Sequence, residues 1–232
     1  MRSAGCVYND MIDRDFDAKV KRTSIRPLAV GEVSSKEALF ILFFLLAISA
    51  LILFSLPLPV IMVGFASLAL VLLYPWMKRI TYWPQLFLGL AFNIGVLMGW
   101  LSLYPTLSLT PLLFYGGGIF WTIGYDTIYA FQDLEDDILI GVKSSAIAIS
   151  SAPKLFLSVF YASAVILWGM GGKEAHLGWV FWLFLSFITL HFARQILTLK
   201  KDNANNCLEI FKSNTKVGLF LFLGVFLSHL VC

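Results

Sequence analysis

Two long stretches without any charged side chain constrain this fold more than any other feature. Residues 38–77 and 80–125 contain no Asp, Glu, Lys or Arg, and each is long enough for two membrane passes at roughly 20 residues per helix. Hydrophobic residues make up 59% of the 232 residues, charged residues 13%, and the mean hydropathy is +0.83. These values exclude a soluble domain. The apolar runs are continuous rather than alternating, which excludes a transmembrane β-barrel. The sequence therefore predicts an all-α, polytopic transmembrane helix bundle.

Proline, glycine and charged residues divide the apolar sequence into seven full spans. The predicted spans cover residues 39–56, 59–75, 85–104, 109–131, 153–171, 177–199 and 215–232. Residues 1–12 are too short to cross a membrane alone and are typical of the end of a helix. We therefore expect a partial N-terminal helix ahead of the seven spans.

The basic residues predict the orientation of the chain in the membrane. When the loop at residues 14–37 is taken as cytoplasmic, 15 of the 17 Lys and Arg residues fall on that side. Only Lys173 falls on the opposite side, and Arg2 belongs to the partial helix. Such a bias is typical of cytoplasmic or matrix-facing loops.

Two acid-rich clusters lie at the ends of apolar segments on the same predicted side. Residues 9–17 and 126–137 together hold nine of the 14 acidic residues. Carboxylates near a bilayer are costly unless they are paired, hydrated or bound to metal, so they indicate a functional site. The alternative is a solvated acidic helix end.

Helical spacing predicts that each cluster presents one face. The first array is spaced i, i+4, i+8: Asn9, Asp13 and Asp17. The second is spaced i, i+3, i+7, i+11: Asp126, Tyr129, Asp133 and Asp137. Like charges one turn apart destabilise a helix unless a cation neutralises them. Mg²⁺ prefers a few carboxylates together with substrate phosphates and water, so the two arrays favour a two-ion magnesium and phosphate site.

Basic residues follow the arrays and are candidates for phosphate binding. Arg22 and Arg26 lie just after the first array, Arg79 follows the second full span, and Lys143 follows the second array. Arginine matches phosphate oxygens bidentately, whereas lysine acts as a point charge. The alternative for these residues is the ordinary positive bias of the loops, with lipid headgroups as their contacts.

Three segments resemble the UbiA family of membrane prenyltransferases: residues 1–34, with the pattern NDxxDxxxD, residues 74–85 and residues 125–146. Residues 207–224 match more weakly. The resemblance covers essentially the whole chain. It implies a single domain over residues 1–232 that belongs to a bundle of nine helices around a chamber open to lipid. It also implies that the first of the nine helices is missing here.

The resemblance also implies roles for individual residues. Catalytic roles are implied for Asp13, Asp17, Asp133 and Asp137, and metal binding for the same four residues and Asn9. Substrate binding is implied for Asn9, Arg22, Arg79, Asp126, Tyr129 and Lys143. The implied reaction is Mg²⁺-dependent transfer of a polyprenyl group from polyprenyl diphosphate to the ring of 4-hydroxybenzoate, in ubiquinone biosynthesis.

Several alternatives remain open at this point. Homogentisate, dihydroxynaphthoate, haem or a chlorin are other acceptors, and an ion-coupled transporter or a non-catalytic remnant are other classes. Transporter acids tend towards the membrane midplane, whereas these arrays lie at helix ends. We expect a bacterial or mitochondrial inner-membrane protein that contacts lipid and no nucleic acid, with its site on the cytoplasmic or matrix side.

Overall fold

A computed structural model describes residues 2–231. Met1, in the predicted partial helix, and Cys232, in the last predicted span, lie outside the described residues. Within 2–231 the protein contains helices and no strand. The α-helices are α1 Arg2–Ile12, α2 Arg14–Asp17, α3 Pro27–Val30, α4 Ser35–Phe54, α5 Leu58–Ile80, α6 Pro84–Leu101, α7 Leu109–Ala130, α8 Leu134–Ile140, α9 Ser145–Ala148, α10 Pro153–Glu174, α11 Trp179–Thr198 and α12 Ala204–Val231. A 3₁₀ turn, Phe131–Asp133, joins α7 to α8.

The predicted all-α transmembrane class is confirmed, with a small difference in the number of spans. Six of the described helices are long and apolar enough to cross a membrane: α4, α5, α6, α10, α11 and α12. The remaining predicted span is α7, a continuous helix of 22 residues that is not among the six. Polar and glycine residues lower its hydropathy, and it is shielded because α6, α10 and α12 pack around it.

Local sequence signals explain where the helices begin and end. Ser34 and Glu37 form a capping box at the start of α4, which satisfies backbone N–H groups that lack a helical partner. Pro84 and Pro153 occupy the first positions of α6 and α10, where the missing N–H costs nothing. Gly141 ends α8 with a φ of 79°, a left-handed conformation that favours glycine.

The main core lies among α7, α10, α11 and α12. It contains buried aromatic and aliphatic side chains, including Tyr161, Trp168, Phe181 and Ile188. The ring of Tyr161 stacks on Phe192 with their centroids 4.0 Å apart. The N-terminal half is a second group, in which α1 packs on α4 and α5, and α5 packs on α6. Helix α7 joins the two groups, since it packs against both α6 and α10.

Glycine residues on α7 allow its neighbours to approach closely. A Cβ atom at Gly117 would overlap the indole of Trp168 on α10, and one at Gly118 would overlap the side-chain amide of Asn93 on α6. Small residues at helix contacts are a common means of close packing in membranes. Because α7 continues into the second acidic array, these contacts help to fix the position of that array.

We expect Gly117→Ala to lower the free energy of unfolding by about 1–3 kcal/mol, since an added methyl group overpacks the contact with Trp168. Thermal unfolding in detergent measures this loss. The control is Gly99→Ala on α6, where an added Cβ meets no atom within 4 Å; alanine should be neutral or slightly stabilising there. Equal effects of the two substitutions would contradict the close-packing explanation.

Candidate functional site

The first acidic array keeps its predicted face although α1 ends before it is complete. Helix α1 ends at Ile12 and a short helix, α2, begins at Arg14. The backbone N–H of Asp13 still donates to the Asn9 carbonyl at 2.9 Å, and that of Asp17 donates to the Asp13 carbonyl at 2.7 Å. These i to i−4 hydrogen bonds keep Asn9, Asp13 and Asp17 about one turn apart.

The second array does not lie on one regular α-helix, as the spacing had predicted. Asp126 and Tyr129 belong to α7, Asp133 ends the 3₁₀ turn, and Asp137 belongs to α8. A 3₁₀ turn has three residues per turn instead of 3.6. The angular spacing of the side chains therefore changes between Tyr129 and Asp137, so the four residues do not share the face of one regular helix.

Arg22 connects the segment that follows the first array to the second array. Its guanidinium donates to both carboxylate oxygens of Asp133, with Nε 2.9 Å from Oδ1 and Nη2 2.5 Å from Oδ2. Its Nη1 also donates to the Tyr129 hydroxyl at 2.8 Å. In addition, the backbone N–H of Lys21 donates to Asp136 at 3.1 Å. The segment at residues 18–26 therefore reaches from the first array across to the second.

Two further cations pair with the first array. Lys78, near the end of α5, places Nζ 3.0 Å from Oδ2 of Asp13. Arg26 donates to Asp10 and to Asp17, both at 2.7 Å. The sequence interpretation gave no role to Lys78 or Asp10, and it included Arg26 only among the basic residues that follow the first array. Lys78 was considered only as part of the positive bias, although it ends the charge-free stretch at residues 38–77 and lies within the segment that carries the resemblance.

Arg79 and Lys143 lie at the same end of the bundle but contact other groups. Arg79 donates to the Ile12 carbonyl at 3.2 Å and lies over the rings of Phe16 and Trp76. Nζ of Lys143 donates to the Ile80 carbonyl at 3.0 Å. Neither cation pairs with a carboxylate in residues 2–231, so their substrate-binding roles stay predictions.

Asp126 lies deeper, one turn before Tyr129 on α7. It is half-buried and, within the described part of the chain, pairs with no cation through a direct contact. The positive charges of Lys78 and Arg22 nevertheless act on it electrostatically. Asp126 therefore faces the same charged region as the two arrays.

The local electrostatics favour an added cation. Burial raises the pKa of Asp137 to about 6, and the negative charge of Asp133 adds to the increase. Burial also raises the pKa of Asp17, although the charge and hydrogen bond of Arg26 oppose the increase. For Arg22, burial lowers the pKa, but the hydrogen bond and charge of Asp133 outweigh burial and raise it overall. The nearby positive charges thus do not fully offset the cost of burying the charged carboxylates.

The donor set of the site fits a hard divalent cation. The Oδ1 atom of Asn9 is buried and accepts no hydrogen bond within residues 2–231, which leaves an oxygen ligand beside Asp13. No three His, Cys, Asp or Glu side chains in the described chain converge closely enough to hold a metal by themselves. Mg²⁺ does not need such a cage, because it commonly takes one or two carboxylates with water and phosphate oxygens.

Comparison with known proteins agrees with this geometry. The sequence matches the UbiA prenyltransferase family over residues 1–225. It is 44% identical over 232 residues to "4-hydroxybenzoate polyprenyltransferase, mitochondrial" from Caenorhabditis elegans, covering 100% of this chain and 65% of that protein. The protein of the same name from Aedes aegypti is 46% identical over 233 residues, covering 99% and 52%. The chain thus spans between about half and two thirds of the length of these relatives.

Solved structures support the same fold. The apo structure of a UbiA homologue from Aeropyrum pernix K1 superimposes with a TM-score of 0.84 at 26% identity, covering 98% of this chain and 85% of that one. A digeranylgeranylglyceryl phosphate synthase superimposes with a TM-score of 0.71 at 18% identity, covering 97% and 80%; this second likeness concerns the fold alone. Since the family match includes both acidic arrays and nearly all of the chain, the protein belongs to the UbiA prenyltransferase family.

Proposed function

We propose that this integral membrane protein transfers a polyprenyl group from polyprenyl diphosphate to the ring of 4-hydroxybenzoate, in ubiquinone biosynthesis. The observation that carries the proposal is that the segment just after the first acidic array, more than 100 residues from the second array, contacts the second array through the hydrogen bonds from Arg22 to Asp133. The names of the relatives support the choice of acceptor. Carboxylates and cations lie together at one end of the helix bundle. This arrangement suits a diphosphate, which binds both metal ions and basic side chains.

Mg²⁺ is the proposed cofactor, held by Asn9, Asp13, Asp17, Asp133 and Asp137. The free Oδ1 atom of Asn9 and the unfavourable burial of Asp137 are the features that support it. When bound, the ions would neutralise the negative charge that develops on the departing diphosphate. Because the arrays come from separate helices, their carboxylates can approach a bound diphosphate from two sides.

The chain's own cations also contribute to diphosphate binding in this proposal. Hydrogen bonds to Asp133 and to the Tyr129 hydroxyl fix the orientation of the Arg22 guanidinium. The same N–H donors match phosphate oxygens. Lys78 offers a point charge beside Asp13. Each cation would then exchange a carboxylate partner for a phosphate oxygen, or share it between the two. Arg79, Lys143 and Asp126 complete the proposed binding region.

Aromatic side chains continue from the charged region into the bundle. The ring of Tyr129 lies 4.4 Å from that of Phe211, and Phe211 lies 5.7 Å from Tyr125. Trp121 follows, 5.3 Å from Tyr125. These rings exclude water from the space next to the diphosphate site, and their faces can stabilise an allylic cation. The attacking group would be the ring carbon ortho to the phenol of the acceptor.

The proposed test measures product formation in membranes that contain the protein. A polyprenyl diphosphate is supplied with Mg²⁺ and, in separate reactions, with 4-hydroxybenzoate, homogentisate or dihydroxynaphthoate, and products are identified by mass spectrometry. A prenylated product from 4-hydroxybenzoate alone is the expected result. Preference for another acceptor would overturn the proposed substrate and keep prenyl transfer, whereas no product from any acceptor would contradict the proposal.

The site is proposed to face the cytoplasm of a bacterium or the matrix of a mitochondrion, on the side favoured by the basic residues. We expect single cysteines replacing Lys19 and Asn205 to react with an impermeant thiol reagent from one side of the membrane, and one replacing Lys173 from the other. All three positions are exposed. The background carries serine at the three native cysteines. Reaction of positions 173 and 205 from the same side would contradict the orientation.

A further inference from the structure

A groove runs between α11 and α12, on the opposite face of α12 from the aromatic rings near the acidic arrays. Its volume is about 490 Å³. The floor consists of three phenylalanine rings, Phe184, Phe187 and Phe220, whose centroids lie 6.0–6.1 Å apart. Leu190 extends this apolar wall and is 67% exposed. The groove therefore offers an apolar surface to the membrane.

Two cations line the same groove and have no protein partner. Arg194 and Lys216 are both exposed, and within residues 2–231 neither side chain donates a hydrogen bond or forms an ion pair. No Asp or Glu lines the groove. The groove therefore carries positive charge that nothing in the described chain neutralises.

Contacts between the two helices fix where the cations lie along the groove. Ser213 accepts a hydrogen bond from Gln195 at 2.9 Å, whereas Phe220 packs against Phe184, about three turns earlier on α11. Lys216 lies between these two levels, and Arg194 lies at the level of Ser213. The cations thus occupy the end of the groove towards the acidic arrays, and the rings extend towards the membrane interior.

The membrane position agrees with this polarity. Lys216 is the second residue of the last predicted span, 215–232, so it lies where a helix passes from the interface into the hydrocarbon region. Four residues further, Phe220 is about 6 Å deeper along the helix axis. A phospholipid has the same order, with a charged phosphate at the interface and acyl chains below it.

A second cavity on the molecule lacks these features. It lies near the α11–α12 connection and is lined by three lysines, Lys154, Lys200 and Lys201. Lys154 donates to the Leu197 carbonyl and Lys201 to the Ser150 carbonyl. Asp202 also lines it. Two of its three lysines are therefore already engaged, and Asp202 cancels part of its charge.

We propose that the α11–α12 groove binds one anionic phospholipid, with the lipid phosphate between Arg194 and Lys216 and an acyl chain over the three phenylalanine rings. The unneutralised cations select negative charge, and the rings select a lipid rather than a soluble anion. The site is separate from the acidic arrays, so the proposal does not depend on the proposed reaction.

The test uses the whole protein in detergent, with phosphatidylglycerol or phosphatidylcholine of identical acyl chains added before native mass spectrometry. We expect one phosphatidylglycerol molecule to bind in preference to phosphatidylcholine. The double variant Arg194→Gln and Lys216→Gln should weaken phosphatidylglycerol binding on the order of 10- to 30-fold, since each basic residue near an anionic lipid contributes about fivefold. Phe187→Ala should weaken binding of both lipids.

The matched control removes two exposed cations from the same end of the protein but away from α11 and α12, by Lys19→Gln and Lys36→Gln. Its lipid preference should equal that of the unmodified protein, and thermal unfolding verifies that both double variants are folded. Equal loss in the control would overturn the proposal in favour of a general surface charge effect, and an unchanged preference in the groove variant would also overturn it. Displacement of the lipid by equimolar inorganic phosphate would instead indicate a bare anion site and overturn the choice of a lipid.

Discussion

Replacing Asp133 by asparagine is expected to lower the rate of prenyl transfer by at least ~100-fold, the size typical of losing one preorganised electrostatic contact in a catalytic site. Asp133 accepts three hydrogen bonds from Arg22 and lies beside Asp137, so its charge acts on both the cation and the proposed metal site. Asparagine keeps the shape and removes the charge. Asp13→Asn, which leaves Lys78 without its carboxylate partner, should have an effect of similar size. The measurement is product formation at saturating substrate.

The controls come from the same two arrays. Asp15 and Glu135 are exposed, and neither pairs with a cation within residues 2–231. Asp15→Asn and Glu135→Gln remove the same unit of charge and should leave the rate nearly unchanged. Thermal unfolding separates a loss of catalysis from a loss of folding. If Glu135→Gln were as damaging as Asp133→Asn, the assignment of site-facing carboxylates would be wrong.

Removal of divalent metal is expected to abolish prenyl transfer, and added Mg²⁺ should restore it. The reason is that the carboxylates repel a diphosphate unless cations lie between them. Binding also has a readout without turnover: Mg²⁺ together with inorganic diphosphate should raise the unfolding temperature, because a ligand at 100 times its Kd stabilises the folded state by about 2.7 kcal/mol. The increase should be absent in Asp13→Asn. Undiminished turnover in excess chelator would contradict the two-metal proposal.

The acidic arrays also explain why the free protein needs its own cations. Each of three cations pairs with one carboxylate of the arrays: Lys78 with Asp13, Arg26 with Asp17 and Arg22 with Asp133. A buried carboxylate without a partner is strongly destabilising, so these pairs hold the site together before a substrate arrives.

The sequence by itself determined the features that depend on local pattern. Charge-free stretches of membrane length predicted the helices, because an apolar segment must satisfy its backbone hydrogen bonds internally when it is in lipid. The one-turn spacing of Asn9, Asp13 and Asp17 predicted a shared face, and the backbone hydrogen bonds preserve it. The sequence assigned the two arrays to one side of the membrane, and such arrays can lie close together. The hydrogen bond from Arg22, which follows the first array, to Asp133 of the second array agrees with that assignment.

Only the tertiary structure decided which cations meet which carboxylates. Lys78 and Arg79 are adjacent, so their side chains point about 100° apart on α5. Packing against α1 and α6 sets the rotation of α5 about its own axis. That rotation directs Lys78 to Asp13 and Arg79 to the carbonyl of Ile12. The 3₁₀ turn at Phe131–Asp133 likewise lies against a neighbour, because α12 packs on it. Sequence spacing fixes angles along one helix, whereas the rotation of a helix about its own axis is fixed by the helices around it.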